Sequence, residues 1–186
     1  LFEKNDDILK SASGSNQYRV HRGYHYPRSP ETVRGIVESE NSFRELFSKA
    51  IVTNNEHFYC ISKNNSLTSS QQFIDFCKKY NLEIEKASLD CVNKNSIDLC
   101  VRVKESIYDP KILKEISMDL MEKNKIKIHL NTKATESILD EFDKIIVCTY
   151  ANLNELLTKF PNSQNDYQFE LCEKPVVKLP DSFKNK

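Results

Sequence analysis

The segment from Tyr18 to Arg28 holds the densest group of reactive side-chain types in the sequence. Its eleven residues include two histidines, three arginines and three tyrosines. A guanidinium group binds a carboxylate through two parallel hydrogen bonds, so Arg19, Arg22 and Arg28 are candidates for holding an acidic small molecule. Residues 11–30 follow no helical or strand period, and long loops in folded domains are typically functional or disordered. The aromatic content favours a functional loop.

His21 and His25 in this loop are spaced four residues apart, which on a helix would suit a metal ion. Gly23 and Pro27 disfavour a helix here, and no carboxylate accompanies the two imidazoles, so we expect no metal site. The plainer interpretation of the whole loop is an exposed aromatic and basic segment that only packs against its own domain.

Three other segments carry candidate binding residues. Small residues at 11–15 would let a backbone approach a flat ligand or a phosphate closely. Glu3 suits the acidic position that accepts hydrogen bonds from a ribose at the end of a strand, although a solvated surface glutamate is the plainer interpretation. Thr149 and Tyr150 follow the apolar run 145–148, and ligands of open α/β sheets bind beyond the carboxyl ends of strands. The alternative there is a core strand followed by a helix that Asn152 caps.

The elements around these residues follow from pattern and capping signals. Helices are expected to begin at Ser29-Pro30, at Ser69 or Ser70, and at Asp109-Pro110. The first is expected to keep an apolar stripe from Val33 through Val37 to Leu46 and beyond.

Strands are expected at 57–61, 97–103, 126–130, 145–148 and 169–179. Residues 97–103 alternate, which predicts an antiparallel strand, whereas 145–148 are continuously apolar, which predicts a parallel strand covered on both faces. The fold class is therefore mixed α/β: a doubly wound sheet with an inserted mixed or antiparallel lobe.

Composition limits the classes of partner. The chain has 186 residues with 27 basic and 27 acidic side chains and no net charge, which argues against nucleic acid as the main partner. No apolar stretch approaches the roughly 18 residues of a membrane span. The six cysteines contain no C-x-x-C pair, so we expect reduced, buried thiols in a cytoplasmic protein.

Taken together, five segments resemble FAD-dependent oxidoreductases of the D-amino-acid-oxidase-like superfamily. Residues 1–4 resemble the end of the second strand, and residues 11–16 resemble the loop beside the pyrophosphate and flavin. The pattern His-x-Gly-x-x-Tyr at 21–26 is similar to the segment beside the isoalloxazine ring. Residues 128–134 resemble the strand that meets the adenine, and residues 147–152 stand where the superfamily has Ala-Thr-Gly.

The resemblance implies roles for individual residues. His21 with Tyr24 or Tyr26 would line the reactive face of the flavin, and Arg19, Arg22 or Arg28 would anchor a substrate carboxylate. FAD would be bound by the following residues: Glu3, Lys4, Ser11, Ser13, Gly14, Ser15, Asn16, Ala134, Thr149 and Tyr150. Tyr150 departs from the pattern, because it replaces the glycine that allows close backbone approach.

The resemblance also implies a division of the chain. Residues 1–30 and 109–160 would belong to the FAD-binding part, 31–108 to a substrate lobe, and 161–186 to a return strand. The glycine-rich turn before residue 1 and the last flavin-binding segment are absent, so we interpret the chain, which begins with Leu1, as an internal fragment.

The implied activity of the parent enzyme is hydride transfer to flavin from a C–H bond beside an amine or hydroxyl, in an amino acid, a 2-hydroxy acid or a sugar-like substrate. The electron acceptor stays open, and we expect the isolated chain to be inactive. Two alternatives remain: a non-enzymatic module that binds a nucleotide or anion, and a truncated, inactive relative that acts as an interaction partner.

Overall fold

A computed structural model describes residues 1–168, 177, 178, 180 and 181. Its helices are α1 (Ala12–Ser15), α2 (Pro30–Phe47), α3 (Ser70–Lys79) and α4 (Pro110–Lys123). Its strands are β1 (Arg19–Val20), β2 (Ile51–Val52), β3 (His57–Ser62), β4 (Ile84–Lys86), β5 (Ile97–Val103) and β6 (Ser106–Tyr108). Short 3-10 turns cover Ser48–Ala50, Lys94–Ser96, Glu136–Glu141, Tyr150–Leu156 and Pro161–Ser163. The predicted mixed α/β class is confirmed.

The three long helices begin where the sequence signals placed them. Ser69 forms a reciprocal capping box with Gln72 at the start of α3, which satisfies two backbone donors that a helix start leaves without partners. Asp109 accepts hydrogen bonds from the backbone N–H groups of the first turn of α4. Pro30 occupies the first turn of α2, where its missing N–H costs nothing.

The strands form two three-stranded antiparallel sheets. In the first, β5 lies between β3 and β4, with Tyr59 opposite Val101 and Ile84 opposite Val103. In the second, β6 lies between β1 and β2. The antiparallel strand predicted at 97–103 is confirmed as β5.

Packing divides the chain into two units. The larger one comprises Leu9–Ile126, and the smaller one comprises Leu1–Ile8 with Lys127–Lys186. Both apolar clusters belong to the larger unit: one joins α2 and α3 to the first sheet around Tyr24, Val33 and Phe73, and the other surrounds Val20 and Leu113. This division falls at other points than the predicted boundaries at 30, 108 and 160, and the functional assignment of those segments stays a prediction.

Two strands predicted in the smaller unit are not formed as expected. The strand expected at 126–130 is reduced to a single parallel bridge between Phe2 and His129. The buried strand expected at 145–148 is wrong, because Ile146 is 89% exposed and no described strand lies beside it to pair its backbone. The helix that Asn152 was expected to cap is a 3-10 turn, Tyr150–Leu156, and Asn152 lies inside it. Most of the strand expected at 169–179 lies outside the described residues.

Two further expectations about burial are wrong. Val37 and Leu46 on α2 are half exposed, whereas Val33 of the same helix is fully buried and Phe43 and Phe47 pack against the second apolar cluster. Of the described cysteines only Cys77 is buried, while Cys60, Cys91 and Cys148 are exposed. Within the described residues, no helix has the length and apolar character that a membrane span requires.

Candidate functional site

Glu105 is a buried carboxylate at the junction of β5 and β6, and its side chain has 0% exposure. Its position follows from the pleat of β5. Val101, Val103 and Glu105 alternate with exposed neighbours, so all three point to the same buried face. A buried carboxylate requires hydrogen-bond and charge partners, and Glu105 has several.

The partners of Glu105 come from three segments. The backbone N–H of Arg22 donates to Oε1 at 3.0 Å, and the Tyr59 hydroxyl donates to Oε2 at 2.9 Å. The guanidinium of Arg19 lies 3.5 Å from Oε2 and also donates to the Tyr59 oxygen at 2.7 Å. The backbone carbonyl of Glu105 accepts from Asn55 Nδ2 at 3.1 Å. The carboxylate thereby ties the loop containing Arg19 and Arg22 to strand β3.

Two imidazoles face the same carboxylate. Nδ1 of His21 lies 3.6 Å from Oε1, and Nδ1 of His57 lies 3.7 Å from Oε2. Both nitrogen atoms are buried and have no hydrogen-bond partner at closer range. Glu105 is therefore the available hydrogen-bond or ion-pair partner of both Nδ1 atoms.

The environment shifts the pKa values of these groups. Burial by itself would raise the pKa of Glu105, but the His21 imidazole, the Arg22 N–H and the Tyr59 hydroxyl outweigh it and lower that pKa below its ordinary value. Burial lowers the pKa of His57, and the opposing charge of Glu105 does not overcome it. Burial and the adjacent carboxylate raise the pKa of Tyr59. At neutral pH, the site combines a charged Glu105 with a neutral His57 and a neutral Tyr59.

The rings of His21, His25, Tyr26 and Tyr59 contact one another and form an aromatic wall, of which His21 and Tyr59 lie against this carboxylate. The ring of His21 lies 6.0 Å from that of His25 and 5.8 Å from that of Tyr26, and His25 lies 6.4 Å from Tyr59. The His21 side chain keeps 34% of its surface exposed. The rings are inclined to one another, by 67° between His21 and Tyr26, and Nδ1 is the His21 nitrogen that faces Glu105.

Tyr24 lies elsewhere, in the hydrophobic core. Its side chain is fully buried, and its hydroxyl donates to the Glu83 carbonyl at 2.7 Å. Burial raises the pKa of Tyr24 to about 12. The predicted place of Tyr24 beside a flavin stays a prediction, and its contacts favour a packing role; Tyr26 is the more exposed of the two.

The three predicted substrate-binding arginines differ in their contacts. Arg19 is bound to Tyr59 and Gln17. Arg22 forms an ion pair with Glu40 at 3.3 Å. Arg28 is exposed and has no partner among the described residues. Arg28 is therefore the arginine whose guanidinium is available to a ligand without breaking an existing contact.

The small residues before this loop have structural roles of their own. A Cβ atom at Gly14 would lie 2.2 Å from the Leu9 carbonyl oxygen, so no other residue fits there. The side chain of Asn16 accepts from the Tyr18 backbone N–H at 2.6 Å and from the Tyr108 hydroxyl at 3.1 Å. The Ser15 hydroxyl donates to the Ser11 carbonyl, and the Ser13 carbonyl accepts from Tyr108.

In the smaller unit, the first residues pair in parallel with residues 129–132. The Glu3 N–H donates to His129 O at 2.9 Å, and the Thr132 N–H donates to Glu3 O at 2.9 Å. The Oε1 atom of Glu3 accepts two hydrogen bonds from Asn5, each 2.8 Å long. Oε2 has no partner among the described residues, which leaves it free to accept from a ribose. Lys4 is exposed and Ala134 half-buried.

Thr149 and Tyr150 also belong to the smaller unit. The Thr149 hydroxyl is buried and has no hydrogen-bond partner in the described part of the chain. Tyr150 has φ 53°, the left-handed conformation that glycine adopts most easily. The backbone at position 150 thus has the conformation that the replaced glycine would favour, while its side chain is 79% exposed.

A cleft of about 610 Å³ lies in the larger unit, between β4, β5 and the end of α2, and Arg22, Asn55 and Glu105 are among the residues that line it. Its wall carries four cations, and each already forms an ion pair with a carboxylate: Arg22, Arg44, Arg102 and Lys104. His21 does not line this cleft. We therefore place the candidate site at the aromatic wall, and Glu105 and Arg22 border both the wall and the cleft. Among the described residues, no group of three or more metal-ligating side chains is assembled.

Glu105, His57 and Tyr59 were not among the residues predicted from the sequence to form the site. The Lys104-Glu105-Ser106 stretch resembles a solvated turn, but the alternation of β5 continues through it. Residue 105 is in phase with Val101 and Val103, and this phase was the available signal. No local pattern marked His57 or Tyr59, because their contact with Glu105 depends on the pairing of β3 with β5.

Part of this chain is similar to two curated proteins, one named an FAD-dependent monooxygenase and the other a probable one. The chain is 33% identical over 82 residues to the FAD-dependent monooxygenase kojA of Aspergillus flavus. The matched region covers 41% of this chain and 19% of that protein. The probable FAD-dependent monooxygenase kojA of Aspergillus oryzae matches to the same extent. The matched region therefore spans about a fifth of the length of these curated relatives. No protein-family profile matches the chain, and no solved structure matches it significantly.

Proposed function

We propose that this chain is part of an FAD-dependent oxidoreductase of the D-amino-acid-oxidase-like type. The enzyme oxidises a C–H bond beside an amine or hydroxyl of a small acidic substrate. When bound, FAD supplies the two-electron acceptor. The similarity to FAD-dependent monooxygenases over 82 residues supports the flavin part of this proposal.

The observation that carries the proposal is the parallel pairing of residues 1–5 with residues 129–132. The resemblance to the superfamily assigned these two distant segments separately to the adenosine end of FAD, and their backbones are hydrogen-bonded to each other. The free Oε2 of Glu3 would accept from the ribose. The buried hydroxyl of Thr149 and the left-handed backbone of Tyr150 fit the same cofactor.

At the aromatic wall, His21 would take the proton from the substrate hydroxyl or ammonium while the hydride leaves the adjacent carbon. Its Nε2 is the nitrogen that does not face Glu105. Tyr26 would stack beside the substrate, and Arg28 would bind the substrate carboxylate, because its guanidinium has no other partner among the described residues.

Substitution of His21 in the native protein that carries this sequence tests the proposal. His21→Ala should lower the rate of flavin reduction by roughly 10²- to 10⁴-fold, as expected for loss of a general base, and should change FAD affinity much less. His25→Ala is the matched comparison, since it removes a neighbouring exposed imidazole. Equal rates in His21→Ala and wild type would contradict the role of His21.

A second candidate reaction follows from the names of the relatives. If the protein is a monooxygenase as kojA is named, a nicotinamide reductant would be needed to reduce the flavin. Anaerobic mixing distinguishes the two: bleaching of the flavin by the organic substrate alone supports hydride transfer from that substrate. Bleaching that needs a nicotinamide, with incorporation of oxygen from O₂ into the product, supports monooxygenation.

A further inference from the structure

We propose that Glu105 is a positioning residue that holds His21 in the tautomer with its proton on Nδ1, so that Nε2 is presented as the proton acceptor. The inference deepens the proposed function and rests on it for the role of Nε2 in catalysis. The tautomer itself is a property of this chain and is measurable without FAD.

The His21 Nδ1 atom is buried and lies 3.6 Å from Oε1 of a carboxylate that has no exposed surface. A lone pair on Nδ1 would point at a negative charge with no water between them, whereas an N–H at Nδ1 points a donor at an acceptor. The second arrangement is favoured by the electrostatics of a buried site.

The neighbours of Glu105 leave Oε1 able to accept a hydrogen bond from the Nδ1–H group of His21. Oε1 has one other donor, the Arg22 backbone N–H, while Oε2 receives the Tyr59 hydroxyl and lies near Arg19. A carboxylate oxygen accepts about two hydrogen bonds. Oε1 therefore keeps capacity for the His21 N–H, and a small approach of the ring would complete the bond.

His57 gives the same carboxylate a second imidazole. Its Nδ1 lies 3.7 Å from Oε2 and is also buried without a closer partner. Oε2 accepts from Tyr59 and also lies 3.5 Å from the Arg19 guanidinium, so His57 competes with a cation for the remaining lone pair. The expected order is a strong tautomer preference in His21 and a weaker one in His57.

The sequence makes the test tractable, because the chain has only four histidines. Two-bond ¹H–¹⁵N correlation spectra of the folded chain, recorded above the pH at which imidazoles are protonated, distinguish a protonated from an unprotonated ring nitrogen. Single His→Gln substitutions assign the signals. Wild-type His21 should show a protonated-type Nδ1 shift and an unprotonated-type Nε2 shift.

Glu105→Gln should move the His21 signals toward the Nε2–H form that predominates in free histidine. Glu40→Gln is the matched control: it removes a half-buried carboxylate that contacts Arg22 and Arg44 but neither imidazole. It should leave the His21 pattern unchanged. If Glu105→Gln does not fold, the wild-type spectrum still decides, because an Nε2–H form of His21 there overturns the proposal.

Kinetic measurements distinguish a failure of this inference from a failure of the proposed function. In the native flavoprotein, Glu105→Gln should lower kcat with little change in the KM of the substrate, since the ring is misdirected while substrate contacts remain. A wild-type Nδ1–H tautomer without flavin reduction by any small acidic substrate would refute the proposed function and leave the tautomer result standing. An Nε2–H tautomer with normal flavin reduction would refute only the role of Glu105.

Discussion

The Nδ1 atom of His21 lies 3.6 Å from Oε1 of Glu105, a side chain without exposed surface. Glu105 is separated from His21 by more than half of the larger unit in sequence, and β1–β6 pairing brings them together, with Val20 opposite Ser106. The segment from Tyr18 to Arg28 is therefore not an independent surface feature. It is attached through a buried charge to the sheet that supports it.

Acidification should destabilise the chain, beginning near the ordinary pKa of histidine. Burial lowers the pKa of His57 in the folded state, so below about pH 6.5 the unfolded chain binds protons that the folded chain does not. His25 shifts in the same direction, through burial and the nearby Arg19. Urea unfolding at a series of pH values should show a falling free energy of unfolding, and His57→Gln should reduce the slope. A flat profile between about pH 7 and 5 would contradict this account.

A second loss of stability should follow at lower pH. The pKa of Glu105 is lowered in the folded state, so its contribution is present above the ordinary carboxyl value of about 4.3 and is lost as the pH falls through the folded value. Glu105→Gln should abolish this second stage. The same urea series measures it, with Glu40→Gln as the comparison.

Tyr24→Phe should affect stability rather than chemistry. It removes the hydrogen bond from the Tyr24 hydroxyl to the Glu83 carbonyl, and leaving that acceptor without a partner costs about 1–3 kcal/mol. The rate of flavin reduction per folded molecule should stay within about twofold, since this side chain is fully buried. A rate reduced as much as in His21→Ala would instead assign Tyr24 to the reactive face.

Gly23→Ala should destabilise the loop because Gly23 has φ +108°, and a Cβ there would lie 3.1 Å from Val33 Cγ1. Such backbone strain costs about 1–3 kcal/mol. Gly35→Ala in α2 is the matched control. A Cβ at position 35 meets nothing within 4 Å, and alanine is the better helix former by about 1 kcal/mol. Thermal unfolding should therefore shift in opposite directions for the two variants, and equal shifts would contradict the assigned geometry.

Glu3→Gln should weaken FAD binding in the native protein by roughly 10- to 100-fold, since hydrogen bonds to charged groups contribute about 1.5–3 kcal/mol. Glu141→Gln in the same unit changes an exposed carboxylate and serves as the control. Titration of apoprotein with FAD, followed by flavin fluorescence, gives both affinities. Unchanged affinity in Glu3→Gln would remove the ribose contact from the account.

Local signals predicted the helices and the central strand well. Asp109-Pro110 and Ser69 determine helix starts through contacts within one turn, and the alternation of β5 reports its single buried face. These features depend on neighbours in sequence, so the sequence alone specifies them.

Features that depend on distant partners were harder to predict. The apolar run 145–148 predicted a buried strand, but burial needs pairing strands on both sides, and Ile146 is exposed. Glu105 was missed for the converse reason: its charge suggested solvent, while pairing across the sheet supplies the donors that allow burial.

The flavin content of the native protein that carries this sequence should be measured first, followed by anaerobic mixing with small 2-hydroxy and amino acids. We expect a yellow protein with one FAD per chain whose absorption is bleached by one of these substrates in wild type but not in His21→Ala. A colourless protein that takes up no added FAD would refute the assignment as a flavoenzyme.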